Sequence, residues 1–187
     1  MKITNKFAIL VVAFGILSVS FIEDGLKKLI PGKGIAGELV IGETTRAEIE
    51  KKYGSDFKEL TYYTKKNQDS VLYSTALYFE KQGLKFYYQP ASTGLSSALF
   101  YKNFPAVSDK GIRAGISTMK EVIAAYGESE WYTSGRTMFL EYDGIEFHIP
   151  FDGKYPIKKS VYKKAKNMVV EYISIDASEV VQETLDK

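Results

Sequence analysis

His148 is the single histidine of the chain and stands in Ile145-Glu146-Phe147-His148-Ile149. Apolar residues alternate there, so Glu146 and His148 share the opposite face of a strand. A histidine beside a carboxylate can shuttle a proton or ligate a metal. Cysteine is absent and no second histidine exists, so a ligand set stays incomplete. A solvated or ligand-facing position on a sheet accounts for the pair better. Ser134-Gly135 and Ser96-Ser97 offer hydroxyl nucleophiles. Neither stands in a Gly-x-Ser-x-Gly elbow, and one histidine would have to serve as base. Gly32-Lys33-Gly34 lacks the spacing of a phosphate loop and reads as flexible connection. No catalytic, cofactor-binding or metal site is therefore expected, and the chain reads as a non-enzyme.

Two other groupings carry binding chemistry. Lysines 154, 158, 159, 163, 164 and 166 interleave with Tyr155 and Tyr162. Lys158, Lys159, Lys163 and Lys164 could engage an anionic polymer, a lipid head group or an acidic protein face. The plainer alternative is a solvated, self-repelling loop. The second grouping is aromatic. Lys85 and Tyr87 lie opposite the Leu84/Phe86/Tyr88 phase of their strand, as Glu146 and His148 lie opposite Ile145/Phe147. Trp131 and Tyr132 join them as candidates if they begin a strand. A sheet covered on one side leaves the other free, and Tyr and Trp are enriched at protein interfaces. Lys85, Tyr87, Trp131, Tyr132, Glu146 and His148 are thus the expected partner-binding set. The alternative is that these aromatics cover a second core or pack between two units.

The elements that would position these residues are punctuated clearly. Residues 42–54 read GETTRAEIEKKYG, and residues 115–127 read GISTMKEVIAAYG. In each, a threonine precedes a glutamate by three positions (Thr45 and Glu48, Thr118 and Glu121), the spacing of a capping box. Gly54 and Gly127 close the helices. Ala47, Ile49 and Tyr53 form one inward stripe; Met119, Val122, Ile123 and Tyr126 form the other. Helices this short must lie on other structure. Gln82-Gly83 and Asp143-Gly144 then mark hairpin turns between apolar runs. A further strand is expected at Ser97–Lys102 and another at Met168–Ile175. The helix phrases and the hairpins are offset differently, so the first unit carries an insertion within Lys58–Ser74.

Length and composition fit this plan. The chain has 187 residues, 45% apolar and 26% charged, an ordinary globular balance. A net charge of +2 gives no electrostatic reason to expect nucleic acid. Lys2 and Lys6 precede an apolar run from Phe7 to Ile22. That pattern reads as a secretory signal, with Ser18 and Ser20 suited to cleavage after Ser20. The alternative is an uncleaved anchor giving membrane association, although the run is short for a span of about 20 residues. The expected layout is residues 1–20 signal peptide or anchor, 21–35 linker, 36–107 first repeat, 108–176 second repeat and 177–187 acidic tail.

Gly115-Ile116-Ser117-Thr118, Glu121-Val122, Tyr126-Gly127 and Trp131-Tyr132 together resemble the BamE-like (SmpA/OmlA-like) fold. Gly42-Glu43-Thr44-Thr45, Glu48-Ile49 and Tyr53-Gly54 repeat the phrase, and the duplication resembles the β-lactamase inhibitory protein. The resemblance implies exported, non-enzymatic proteins that bind other proteins. The chain lacks the anchoring cysteine of the first family and the disulfides of the second. The expected fold class is α+β: two repeats, each a short helix packed on an antiparallel sheet of three to four strands, sharing one core. The expected function is an exported protein-binding module for envelope assembly or inhibition, acting through the open sheet face. The alternative is an anionic-polymer, lipid-head-group or small-ligand binder using the Lys154–Lys166 loop.

Overall fold

The computed structural model describes residues 25–66, 69–129, 131–151 and 165–177. Both capping boxes form. Thr45 opens α1 (Arg46–Tyr53): its hydroxyl accepts from the Glu48 amide, and its own amide donates to Glu48 Oε2 at 2.8 Å. Thr118 and Glu121 do the same for α2 (Met119–Tyr126), at 2.7 Å. Each box satisfies amides that a helix start leaves without partners, and such a cap contributes about 1 kcal/mol. Ile49 is buried under α1 while Ala47 is exposed; Met119 and Val122 are buried under α2. The closing tyrosines lie on equivalent phenylalanines. Tyr53 reaches Phe86 at 5.4 Å between ring centres, and Tyr126 reaches Phe147 at 5.1 Å.

In chain order the strands are β1 (Lys27–Ile30), β2 (Gly34–Ile35), β3 (Leu39–Val40), β4 (Lys58–Lys66), β5 (Asp69–Phe79) and β6 (Leu84–Tyr88). They continue with β7 (Ser97–Tyr101), β8 (Ala106–Ser108), β9 (Trp131–Ser134), β10 (Thr137–Tyr142), β11 (Ile145–Pro150) and β12 (Tyr172–Asp176). The expected α+β arrangement of two helix-on-sheet repeats is overturned. The molecule is mostly β, with one antiparallel sheet of eight strands in the order β4-β5-β6-β7-β12-β11-β10-β9. Its middle is the β7–β12 pair, which runs from Tyr101 opposite Tyr172 to Ser97 opposite Asp176. The physical reason lies in the edges. Each four-strand run alone would expose an apolar edge strand, Ala98-Leu99-Phe100 or Ile173-Ser174-Ile175, and pairing them removes both edges.

The reading of residues 21–35 as a linker also fails where the chain is described. Lys27–Ile30 and Gly34–Ile35 are strands of a second sheet, ordered β3-β2-β1-β8. β8 straddles the expected boundary between the two repeats and pairs parallel with β1. Strands of two to four residues carry too few side chains for any periodicity, which hides them in the sequence. The small sheet is seated by close backbone approach. The Gly32 amide donates to the Gly144 carbonyl at 2.8 Å, and a Cβ on Gly144 would stand 2.2 Å from the Gly32 nitrogen. Gly144 also has φ of +68°, so both space and conformation require glycine at this hairpin turn.

One core joins these parts. Leu29, Ile35 and Leu39 of the small sheet cluster with Ile49 and Val122 of the helices and with Phe79, Phe86, Phe100, Phe147 and Ile173 of the large sheet. The helices and the small sheet therefore cover one face of the eight-stranded sheet. Among the described residues no helix lies on the opposite face.

Candidate functional site

Strand register builds the open face residue by residue. Partners directly opposite in an antiparallel pair share a face. Tyr132, Phe139, His148, Tyr172 and Tyr101 stand opposite one another in turn across β9, β10, β11, β12 and β7. Their rings touch in sequence. Tyr132 stacks on Phe139 at 4.7 Å, and Phe139 meets His148 edge-on at 4.6 Å. His148 stacks on Tyr172 at 3.9 Å, and Tyr172 meets Tyr101 at 4.9 Å. Tyr101 then reaches Tyr78 of β5 at 6.0 Å. With strands about 4.8 Å apart, the five adjacent strands give a file of rings about 20 Å long. Offset and edge-on ring pairs of this kind are favourable beyond their burial.

Charged groups flank the file in pairs. The Glu146 carboxylate accepts from the Tyr132 hydroxyl, and its Oε1 lies 2.7 Å from His148 Nε2. That approach lacks hydrogen-bond alignment, and neither ring nitrogen of His148 has a hydrogen-bond partner among the described residues. Lys85 donates to the Tyr62 hydroxyl at 2.7 Å and holds its ammonium 4.9 Å from the centre of the Tyr87 ring. Burial pushes the Tyr172 hydroxyl up to about 12, and burial together with the Glu146 carboxylate raises Tyr132 as well. Both phenols therefore stay neutral hydrogen-bonding groups at any ordinary pH.

The structure gathers Lys85, Tyr87, Tyr132, Glu146 and His148 on this one face. Trp131 is a correction: it stands opposite Leu140, points to the helix-bearing side and packs half-buried against the core. Alternation along β9 allows only one of the Trp131-Tyr132 pair outward. His148 is a second correction, because it is 6% exposed and lies between two rings rather than in solvent. Lys158, Lys159, Lys163 and Lys164 lie outside the described residues. The sequence reading missed Phe139, Tyr172, Tyr101 and Tyr78. A usable signal existed for Tyr172, since Tyr-Ile-Ser-Ile-Asp alternates strictly and puts Tyr172, Ser174 and Asp176 away from Ile173 and Ile175.

A cleft of about 490 Å³ opens where this face meets the loop after β6. Tyr62, Tyr73, Tyr87, Ser74, Ser97 and Asp176 line it, with Gln89 and Leu95 from the loop side. Tyr73 is there because of a β-bulge. Tyr62 pairs with Ser74 and Tyr63 with Leu72, which leaves Tyr73 as the extra residue. A bulge of this kind turns a side chain away from strict alternation. The loop wall is fixed by backbone bonds, from the Gly42 amide to the Leu95 carbonyl at 2.7 Å and from the Leu95 amide to the Thr44 carbonyl at 2.8 Å. A Cβ on Gly94 would fall 2.0 Å from the Gly42 carbonyl oxygen, so glycine permits the contact. Asp176 remains accessible to solvent, yet protein atoms crowd its carboxyl group. Lost hydration raises its proton affinity, and the hydroxyls of Ser174 and Ser97 only partly offset that.

No family model matches the chain, and no curated protein matches it. Among solved structures it is similar to the uncharacterized protein yfeY from Escherichia coli, at 14% identity and a TM-score of 0.48, covering 80% of this chain and 99% of that one.

Proposed function

We propose that the protein is a non-catalytic binding module whose open sheet face receives a protein partner. The observation that carries this reading is the unbroken file of rings from Tyr132 to Tyr78 on a face that no described helix covers. Stable interfaces use about 800 Å² per partner, and their strongest contacts are aromatic side chains ringed by polar groups. The file is long enough to form the centre of such a patch. Glu146 and Lys85 sit beside it with opposite charges, which would fix the orientation of a docked surface. The packed surroundings of His148, between Phe139 and Tyr172, suit a recognition surface better than a proton shuttle. The basic start and apolar run from Lys2 to Ile22 support an exported location within the same proposal.

Site-specific photo-crosslinking tests the reading. A benzophenone amino acid placed at Tyr132 is expected to give discrete protein adducts in the producing cells. The same group at exposed Ile116, beside α2, is expected to give none. Tyr101→Ala should weaken adduct formation at Tyr132 by about tenfold or more, the loss typical of a central aromatic contact. Adducts at Ile116 alone, or at neither position, would exclude the open face as the docking surface.

A further inference from the structure

We infer that the cleft at the end of β6 and β7 is a binding site for a neutral saccharide. This goes beyond the docking of a protein partner and needs neither Tyr132 nor Phe139. The first ground is shape. At about 490 Å³ the cleft falls within the range of small-ligand sites, about 300–1,000 Å³. Its loop wall is tied by the Gly42, Thr44 and Leu95 backbone bonds, and Ser96 Oγ donates to the Tyr87 carbonyl at 2.7 Å. A wall held this way is in place before a ligand arrives, which lowers the ordering cost of binding on that side.

The second ground is chemistry. Tyr73 is 61% exposed and is directed to the cleft by a bulge rather than by packing. An exposed tyrosine ring offers a flat apolar platform for the C–H face of a sugar ring. Ser74, Ser97 and Gln89 can donate and accept, and the Asp176 carboxylate accepts. Vicinal sugar hydroxyls match such a mixed set, since each donates one bond and accepts others.

The third ground is charge. Asp176 is the one formally charged residue lining the cleft among those described. It repels an anionic ligand. A cation would compete with Lys85, whose ammonium already lies 5.2 Å from the Tyr62 ring centre and 4.9 Å from that of Tyr87. A neutral ligand rich in hydroxyls avoids both penalties.

Titration calorimetry on the folded chain tests this with maltose, cellobiose and N,N′-diacetylchitobiose as probes. Choline and inorganic phosphate serve as charged comparators. Saturable binding of at least one disaccharide is expected, weakened about tenfold or more by Tyr73→Ala and by Asp176→Asn. Tyr63→Ala, on the other face of the same hairpin, should leave it unchanged. Tyr73 packs little, so its removal tests the site without threatening the fold. Three results would overturn the inference: no disaccharide binding, binding confined to a charged comparator, or disaccharide binding that both cleft variants retain.

Discussion

Asp176 ends β12 with its carboxyl group in a crowded cleft. Lost hydration raises its proton affinity above the ordinary value near 3.8, Ser174 opposes this, and the Glu146 carboxylate adds to it. His148 and Ser97 act in the lowering direction but do not reverse the net shift. The folded chain then holds this proton more tightly than the unfolded chain. Its contribution to stability is full below about 3.8 and is lost as pH rises through the folded-state value. Asp176→Asn should therefore melt at a higher temperature than the native protein at pH 7, with the difference closing as pH falls below about 3.8. Thermal melts over that range check it, and a lower melting temperature for the variant at neutral pH would refute the sign. A residue that costs stability where it stands is a familiar mark of a site kept for binding. The same scale shows what a sequence hides. Alternation alone puts Glu146 and His148 on one face, but the burial of His148 comes from Phe139 and Tyr172 on other strands. A single strand's pattern reports phase and says nothing about which rings its neighbours bring.

The β4–β5 hairpin is the element in which the two halves differ most. β6 pairs with β5 only from Thr75 to Phe79, so the hairpin beyond Ser74 is a two-stranded ribbon. Tyr63, Val71, Leu72 and Tyr73 are exposed along it. Two strands without a third are marginally stable in water. Amides of Tyr63 and Leu72 should thus exchange with solvent at least about tenfold faster than those of Ala76 and Leu77. Residue-resolved hydrogen exchange measures this, and equal protection would mean the ribbon is braced by contacts beyond its own ladder. The insertion within Lys58–Ser74 was legible because the helix phrases and hairpin turns are offset differently. Capping boxes and turn glycines were legible for the same kind of reason, since each acts through residues a few positions apart. The small sheet was not. Leu29 and Ile35 read as part of a Pro-Gly linker, whereas β1 pairs with β8 and the Gly32 amide bonds the Gly144 carbonyl, partners far along the chain. The union of β7 with β12 was hidden likewise, because both strands looked complete as the closing strands of separate units.

At the scale of the whole molecule, a single core predicts a single unfolding transition. Trp131, the one tryptophan, sits on β9 at one margin of the large sheet and reports on that end. Its fluorescence and the backbone circular dichroism should lose native signal at the same denaturant concentration. Phe100→Ala lies on β7, in the other half of the sheet, and should cost about 3–5 kcal/mol. It should displace the Trp131 midpoint as far as the backbone midpoint. Independent movement of the two signals would show that the halves fold as separate units. The β7–β12 pair also has a meaning for biosynthesis. During translation, β4 to β7 emerge well before β12. Until then β7 presents Ser-Ala-Leu-Phe-Tyr as an unpaired apolar edge, open to the same edge on another nascent chain. Native pairing with β12 shields a growing polypeptide from its siblings, and a chaperone that guards this interval would have one short segment to cover.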